Sequence, residues 1–166
     1  MANHVLFASS LFLAFLHLSL VIYFKPPRAF AFSVLCGTFS SIWNHGVTND
    51  VAKWSDRGMM AVGALVDFSY IASVPINQRP LLFALILAAL AGYAGAKVLV
   101  RASSAKKERR DASHAASLYA AVFTSGNLPH LTAHLCLSLT HFVMITELAA
   151  HCASPPRAAA AGGFCW

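Results

Sequence analysis

Charge is what this chain is short of. Of its 166 residues only 11% are Asp, Glu, Lys or Arg, against roughly 25% in an ordinary soluble domain. At this length, and with 58% hydrophobic residues, surface-to-volume scaling leaves more apolar surface than a small globule can hide. A soluble fold is excluded on that ground, and a bilayer becomes the natural solvent of a single domain. Cysteine is also scarce. Cys36, Cys136, Cys152 and Cys165 show no C-x-x-C or paired spacing, so neither a disulfide framework nor a cysteine metal site is expected. Cys36 and Cys136 fall inside apolar runs, where a thiol behaves as a small buried hydrophobe. There is no Gly-rich phosphate loop and no dinucleotide fingerprint, which removes the usual signals of nucleotide chemistry. Nor does the net charge of +6 point to nucleic acid. The basic residues stand between apolar runs, where they orient spans and meet anionic lipid.

What remains is a series of apolar stretches, and it predicts an all-α, polytopic transmembrane helix bundle of five or six spans over residues 1–150. Residues 5–24 are apolar over about twenty positions, enough to cross roughly 30 Å of hydrocarbon. A cleaved signal would have a positive leading region and a shorter apolar one, so a retained span is expected, with His17 packed or hydrogen-bonded inside it. Lys25-Pro26-Pro27-Arg28 ends that helix, because proline cannot continue it. The second span, 29–46, carries Ser40, Ser41, Asn44 and His45 into its last turn. A polar loop over 47–55 then leads to Asp56, which suits the start of the third span because a carboxylate accepts bonds from unpaired helix-terminal amides. That span runs to residue 74. Asp67 lies eleven residues, or about three turns, beyond Asp56 and so on the same face. An ionisable group at mid-membrane costs on the order of 2.5–3.5 kcal/mol and usually faces the bundle interior, so Asp67 is expected either to support a site there or to bond between helices as a neutral acid.

A turn over 75–80 precedes the fourth span, 81–100, whose Gly92, Gly95 and alanines make a small-residue face for close packing. The charge-rich stretch 101–111 reads as a solvated loop drawn to anionic headgroups. Residues 112–124 are apolar but short and contain His114; they suit a short span, a half-inserted helix or an interfacial one. The last span, 128–150, has Pro129 in its first turn, where proline is favoured. His130, His134 and His141 form one stripe along it. Beyond it, 151–166 is a tail, Pro- and Ala-rich from 154 and expected to be disordered. Seven basic residues (Lys53, Arg57, Arg101, Lys106, Lys107, Arg109, Arg110) lie on the N-terminal side of the spans and three (Lys25, Arg28, Arg79) on the other. That bias predicts a cytosolic N-terminus.

The chemistry-bearing residues are Ser41-x-x-x-His45, Asp56 and His130-x-x-x-His134. Spacing of i and i+4 places each pair on one helix face. Neutral imidazoles are common zinc ligands, and three of them plus water make a catalytic zinc site with one position open. An aspartate nearby can take a proton from the water, and a serine can donate to a developing oxyanion. His45, His130 and His134 are the candidate Zn2+ ligands, and Ser41 and Asp56 the candidate catalytic residues. Asp67, His141 and Asn44 are candidates to support them.

At these positions the chain resembles the CREST superfamily of membrane hydrolases, which includes alkaline ceramidases and adiponectin/progestin-type receptors. That family has Ser-x-x-x-His late in its second helix, Asp at the third and His-x-x-x-His opening the last. The resemblance covers roughly residues 30–75 and 128–150, and the separation of His45 from Asp56 is most similar to the ceramidases. It implies three zinc-binding histidines, with Ser41 and Asp56 holding the water and the substrate amide. The implied partner is a membrane lipid substrate cleaved at a ceramide-like amide or an ester, in an endomembrane such as the ER or Golgi. The family has seven spans, whereas this chain offers five or six. Were 112–124 to cross fully, His130 would enter from the face opposite His45, about 30 Å away; a common site therefore requires that it does not. Two other classes fit the same residues. Histidines on facing spans can clamp a haem in an electron-transfer protein, and a non-enzymatic assembly subunit or lipid receptor would use them only for packing.

Overall fold

A computed structural model describes residues 4–47, 49–107 and 127–153. Five helices and no strand occur among them: α1 (His4–Phe24), α2 (Arg28–Gly46), α3 (Asp50–Ile71), α4 (Arg79–Lys107) and α5 (Asn127–Ala153). The all-α expectation holds. Among the described residues three helices are long and apolar enough to cross a membrane: His4–Phe24, Arg79–Leu99 within α4, and Asn127–Ala153. α2 and α3, at 19 and 22 residues, have the length of a span but are less apolar, because they carry most of the polar residues singled out above.

The boundaries follow from local chemistry. α1 ends where Lys25 takes φ 51°, the left-handed conformation that closes many helices, and two prolines follow. α3 starts earlier than expected. Asn49 caps it, its side-chain oxygen accepting from the Ala52 amide at 2.7 Å, with Asp50 in the first turn. Asp56 therefore sits in the second turn and does not open the helix; Asn49 takes that role, since an amide oxygen caps as well as a carboxylate. Arg79 ties α3 to α4: its Nε donates to Val74 O at 3.0 Å and its Nη2 to Ala72 O at 2.7 Å. The expected loop at 101–111 is corrected up to residue 107, where α4 continues. RASSAKK holds no Gly or Pro to stop a helix, and Ala and Lys favour one. α5 likewise runs three residues past 150. The expectations for 108–111, for 112–124 with His114, and for the tail from 154 lie outside the described residues. Cys36 and Cys136 are free. Cys152 is disulfide-bonded, which spacing alone did not suggest.

α2 packs against α3 and α1, α1 against α5, and α5 against α4. α3 and α4 are not among the closely packed pairs, although Phe68 and Phe83 meet at a centroid distance of 6.3 Å near their connection. The apolar core of Phe30, Val34, Tyr70, Ile71, Leu82, Ile86, Met144, Ile145 and Leu148 comes from the start of α2, the end of α3, the start of α4 and the end of α5. It occupies one end of the bundle. The other end, formed by the start of α1, the end of α2, the start of α3 and the start of α5, holds His45, His130, His134 and Asp56. α4 and α5 approach closely at Gly92, where an added Cβ would lie 2.7 Å from Pro129 O. Many large apolar side chains face outward, among them Phe15, Phe32 and Leu65, each at least 70% exposed. A lipid-facing exterior explains that distribution, which water would penalise.

Candidate metal centre

The last turn of α2 and the first two turns of α5 meet at three histidines. Ring centroids are 5.1 Å apart for His45 and His130, 5.6 Å for His45 and His134, and 4.9 Å for His130 and His134. One ring nitrogen from each lies within 4.8 Å of the other two. Tetrahedral coordination at about 2.0–2.1 Å spaces ligand nitrogens by about 3.4 Å, so small side-chain adjustments suffice for the three to share an ion. Two further observations fit a metal. Nε2 of the buried His45 has no hydrogen-bond partner among the described residues, as expected of a lone pair reserved for a ligand. His134 Nδ1 is 3.3 Å from Ser9 Oγ, and the single Ser9 hydroxyl proton goes to Leu6 O at 2.8 Å. His134 must then donate from Nδ1, which leaves the lone pair on Nε2. Partners that fix tautomers in this way are typical of metal-ligating histidines.

Asp56 is buried and held by α2. Asn44 Nδ2 donates to Oδ2 at 2.7 Å, and Ser40 Oγ lies 3.3 Å from Oδ1 while also reaching Gly37 O at 2.8 Å. The sequence SSIWNH thus contains two interleaved i, i+4 pairs. Ser41 and His45 belong to one, and Ser40 and Asn44, which grip Asp56, to the other. Ser41 Oγ is 3.2 Å from Ser10 Oγ of α1. Of the three residues expected to support the site, Asn44 is the one hydrogen-bonded to Asp56. Asp67 and His141 do not join the three histidines: they pair with each other, His141 Nε2 lying 3.3 Å from Asp67 Oδ2, about two turns further along α5. His17 is hydrogen-bonded, its Nδ1 3.2 Å from Thr38 Oγ1.

Sequence reading passed over Ser9, Ser10 and Tyr93. Tyr93 stands edge-on to His130 at 5.7 Å, with the Lys97 amine 4.9 Å above its own ring. The i, i+4 pair of Tyr93 and Lys97 in an otherwise apolar span was the available signal. For the two serines no sequence signal exists, since a serine inside an apolar helix is common.

These residues open onto a cavity of about 170 Å³ whose lining includes Ser41, Asp56, His130 and His134 at one end and His17, Asp67 and His141 further in. Most of the rest of the wall is apolar, with Leu13, Met59, Ile86 and Leu137 among it. Met60 and Phe68 of α3 and Leu90 of α4 line the cavity and are also exposed outside, so it opens sideways between α3 and α4. No family model, curated protein or solved structure matches the chain.

Proposed function

We propose that this chain is an integral membrane zinc-dependent hydrolase that cleaves an amide bond, ceramide-like, or an ester bond in a membrane lipid, as its resemblance to the CREST superfamily implies. The observation that carries the reading is the convergence of His45, His130 and His134, with His130 and His134 lining a largely apolar cavity that Ser41 and Asp56 also line. Zinc, when bound, acts as a Lewis acid toward a carbonyl and lowers the pKa of water to about 7. His45, His130 and His134 would hold it. Asp56, fixed by Asn44 and Ser40, accepts the proton of the attacking water and delivers it to the leaving nitrogen or oxygen. Ser41 donates its hydroxyl proton to the carbonyl oxygen as negative charge builds there.

The same reading assigns five spans, a cytosolic N-terminus and a site near the cytosolic face. Antiparallel packing of α4 on α5 supports the odd count: Tyr93 meets His130 at one end, and Gln78 Nε2 donates to Glu147 Oε1 at 2.7 Å at the other. The second half of α4 and the start of α5 therefore lie toward the same end of the bundle, which is what a common site needs. The sideways opening between α3 and α4 suits a substrate that arrives from the bilayer.

The test combines metal content with turnover. Detergent-purified protein should carry about one zinc per chain, as the three-histidine arrangement requires, and His130→Ala or His134→Ala should lose most of it. Wild-type protein should release product from long-chain N-acyl lipids in vesicles, with His134→Ala as the blank. Equal rates in the two proteins would sink the hydrolase reading and leave a receptor or assembly subunit.

A further inference from the structure

Deeper in the cavity lies a second polar cluster that the proposed reaction does not use. His17, Asp67 and His141 are each more than nine-tenths buried, come from α1, α3 and α5, and line the same cavity as the metal cluster. The His17 and His141 rings meet edge-on at 5.2 Å. The two histidines have defined hydrogen positions. Thr38 gives its one hydroxyl proton to Val34 O at 2.7 Å, so His17 donates to Thr38 Oγ1 from Nδ1, leaving a lone pair on Nε2. His141 donates from Nε2 to Asp67, leaving a lone pair on Nδ1. Those two nitrogens and Asp67 Oδ1 are the atoms of the cluster that find no partner among the described residues. With Asp67 as a carboxylate, all three are acceptors. Side chains cover them in the structure, as they cover His45 Nε2 in the metal-ligand cluster.

Buried polar atoms without partners are costly, by about 1–3 kcal/mol each, and call for an explanation. Three acceptors in one place want a donor. A ketone, ether or epoxide supplies none, whereas a hydroxyl does. Seven residues separate His134 from His141, so the cluster lies about 10 Å from the metal cluster along α5 at 1.5 Å per residue. A chain held at the metal cluster by its carbonyl passes the second cluster near its middle.

We propose that His17, His141 and Asp67 form a hydrogen-bonding subsite for a hydroxyl carried part-way along an acyl chain, so that the cavity selects hydroxylated lipids over plain ones. The inference rests on the reading in which the acyl group extends from the metal cluster into this cavity, though not on turnover. The side chains part to admit the hydroxyl, which donates to one imidazole nitrogen, and the apolar wall covers the rest of the chain.

Ricinoleic and oleic acids test this directly. They differ by one mid-chain hydroxyl, present a carboxylate to the metal cluster and contain no bond to hydrolyse. Binding is measured by thermal-shift titration of the zinc-loaded protein in detergent. Ricinoleic acid should bind about three- to tenfold more tightly than oleic acid, the range of one net hydrogen bond. Its O-methyl ether, which keeps the oxygen but loses the donor, should bind no better than oleic acid. His17→Phe and His141→Phe should abolish the preference while keeping zinc and oleic acid binding; each can be read without the other should one fail to fold. Equal binding of all three probes by the wild-type protein overturns the subsite, as does an ether that binds like the alcohol or a preference that survives both substitutions. A protein that prefers ricinoleic acid yet hydrolyses no lipid keeps the subsite and loses the hydrolase.

Discussion

Gly92 is where a single methyl group should be felt most. Its ideal Cβ falls 2.7 Å from Pro129 O, 3.2 Å from Ala133 N and 3.3 Å from Ala133 Cβ. Two of those three atoms are backbone, so no flexible side chain can yield, and α4 must move away from α5. Such overpacking costs about 1–3 kcal/mol. Replacing a helical glycine by alanine otherwise gains roughly 0.5–1 kcal/mol. Gly58 in α3 has nothing within 4 Å of its Cβ, so Gly58→Ala reports that gain alone. The helix contribution cancels between the two variants. Gly92→Ala should therefore be less stable than Gly58→Ala by the whole overpacking cost, about 1–3 kcal/mol, in reversible unfolding from mixed micelles. The shift also reaches the three-histidine cluster, since Pro129 precedes His130 and Tyr93 follows Gly92. Zinc should dissociate faster from Gly92→Ala, with Gly58→Ala unchanged. If the two variants unfold together and release zinc alike, the α4–α5 contact does not position His130.

Ser41→Ala should retain zinc and fold but lose about 10²–10³ in lipid turnover, the usual cost of one oxyanion donor; full activity would remove Ser41 from the mechanism. Asn44→Ala frees Asp56 from its 2.7 Å bond and should lower kcat with zinc content intact, a split that metal analysis and kinetics read separately. Asn49→Ala removes the cap of α3 and should cost about 0.5–2 kcal/mol in micelle unfolding, while Asn49→Asp should restore it. Met144, fully buried in the core, leaves a cavity when cut to alanine. Because the unfolded chain stays in an apolar medium, packing supplies most of the loss, and about 2 kcal/mol is expected.

Composition by itself determined the solvent and the fold class. With so few charges in so short a chain, the backbone must be satisfied in an apolar medium by helices or a closed barrel. Continuous apolar runs in place of an alternating pattern select helices. Local chemistry then placed most helix ends, because prolines and turn residues act within a few positions of themselves. It failed where two signals competed: Asp56 and Asn49 can both cap a helix, and only packing against α2 shows Asp56 turned inward to Ser40 and Asn44. It also failed at 101–107, where charge suggested a loop although nothing in RASSAKK breaks a helix. The histidine spacing put His130 and His134 on one face but was silent on whether His45 would meet them. That depended on α5 starting at the end of the bundle where α2 stops, a matter of how helices distant in sequence lie side by side. Tertiary packing alone also separated the histidine stripe of α5 into two clusters, one facing His45 and one facing Asp67 and His17. A periodic pattern names the face a residue occupies, whereas the partner across from it is set by the neighbouring helix at that depth.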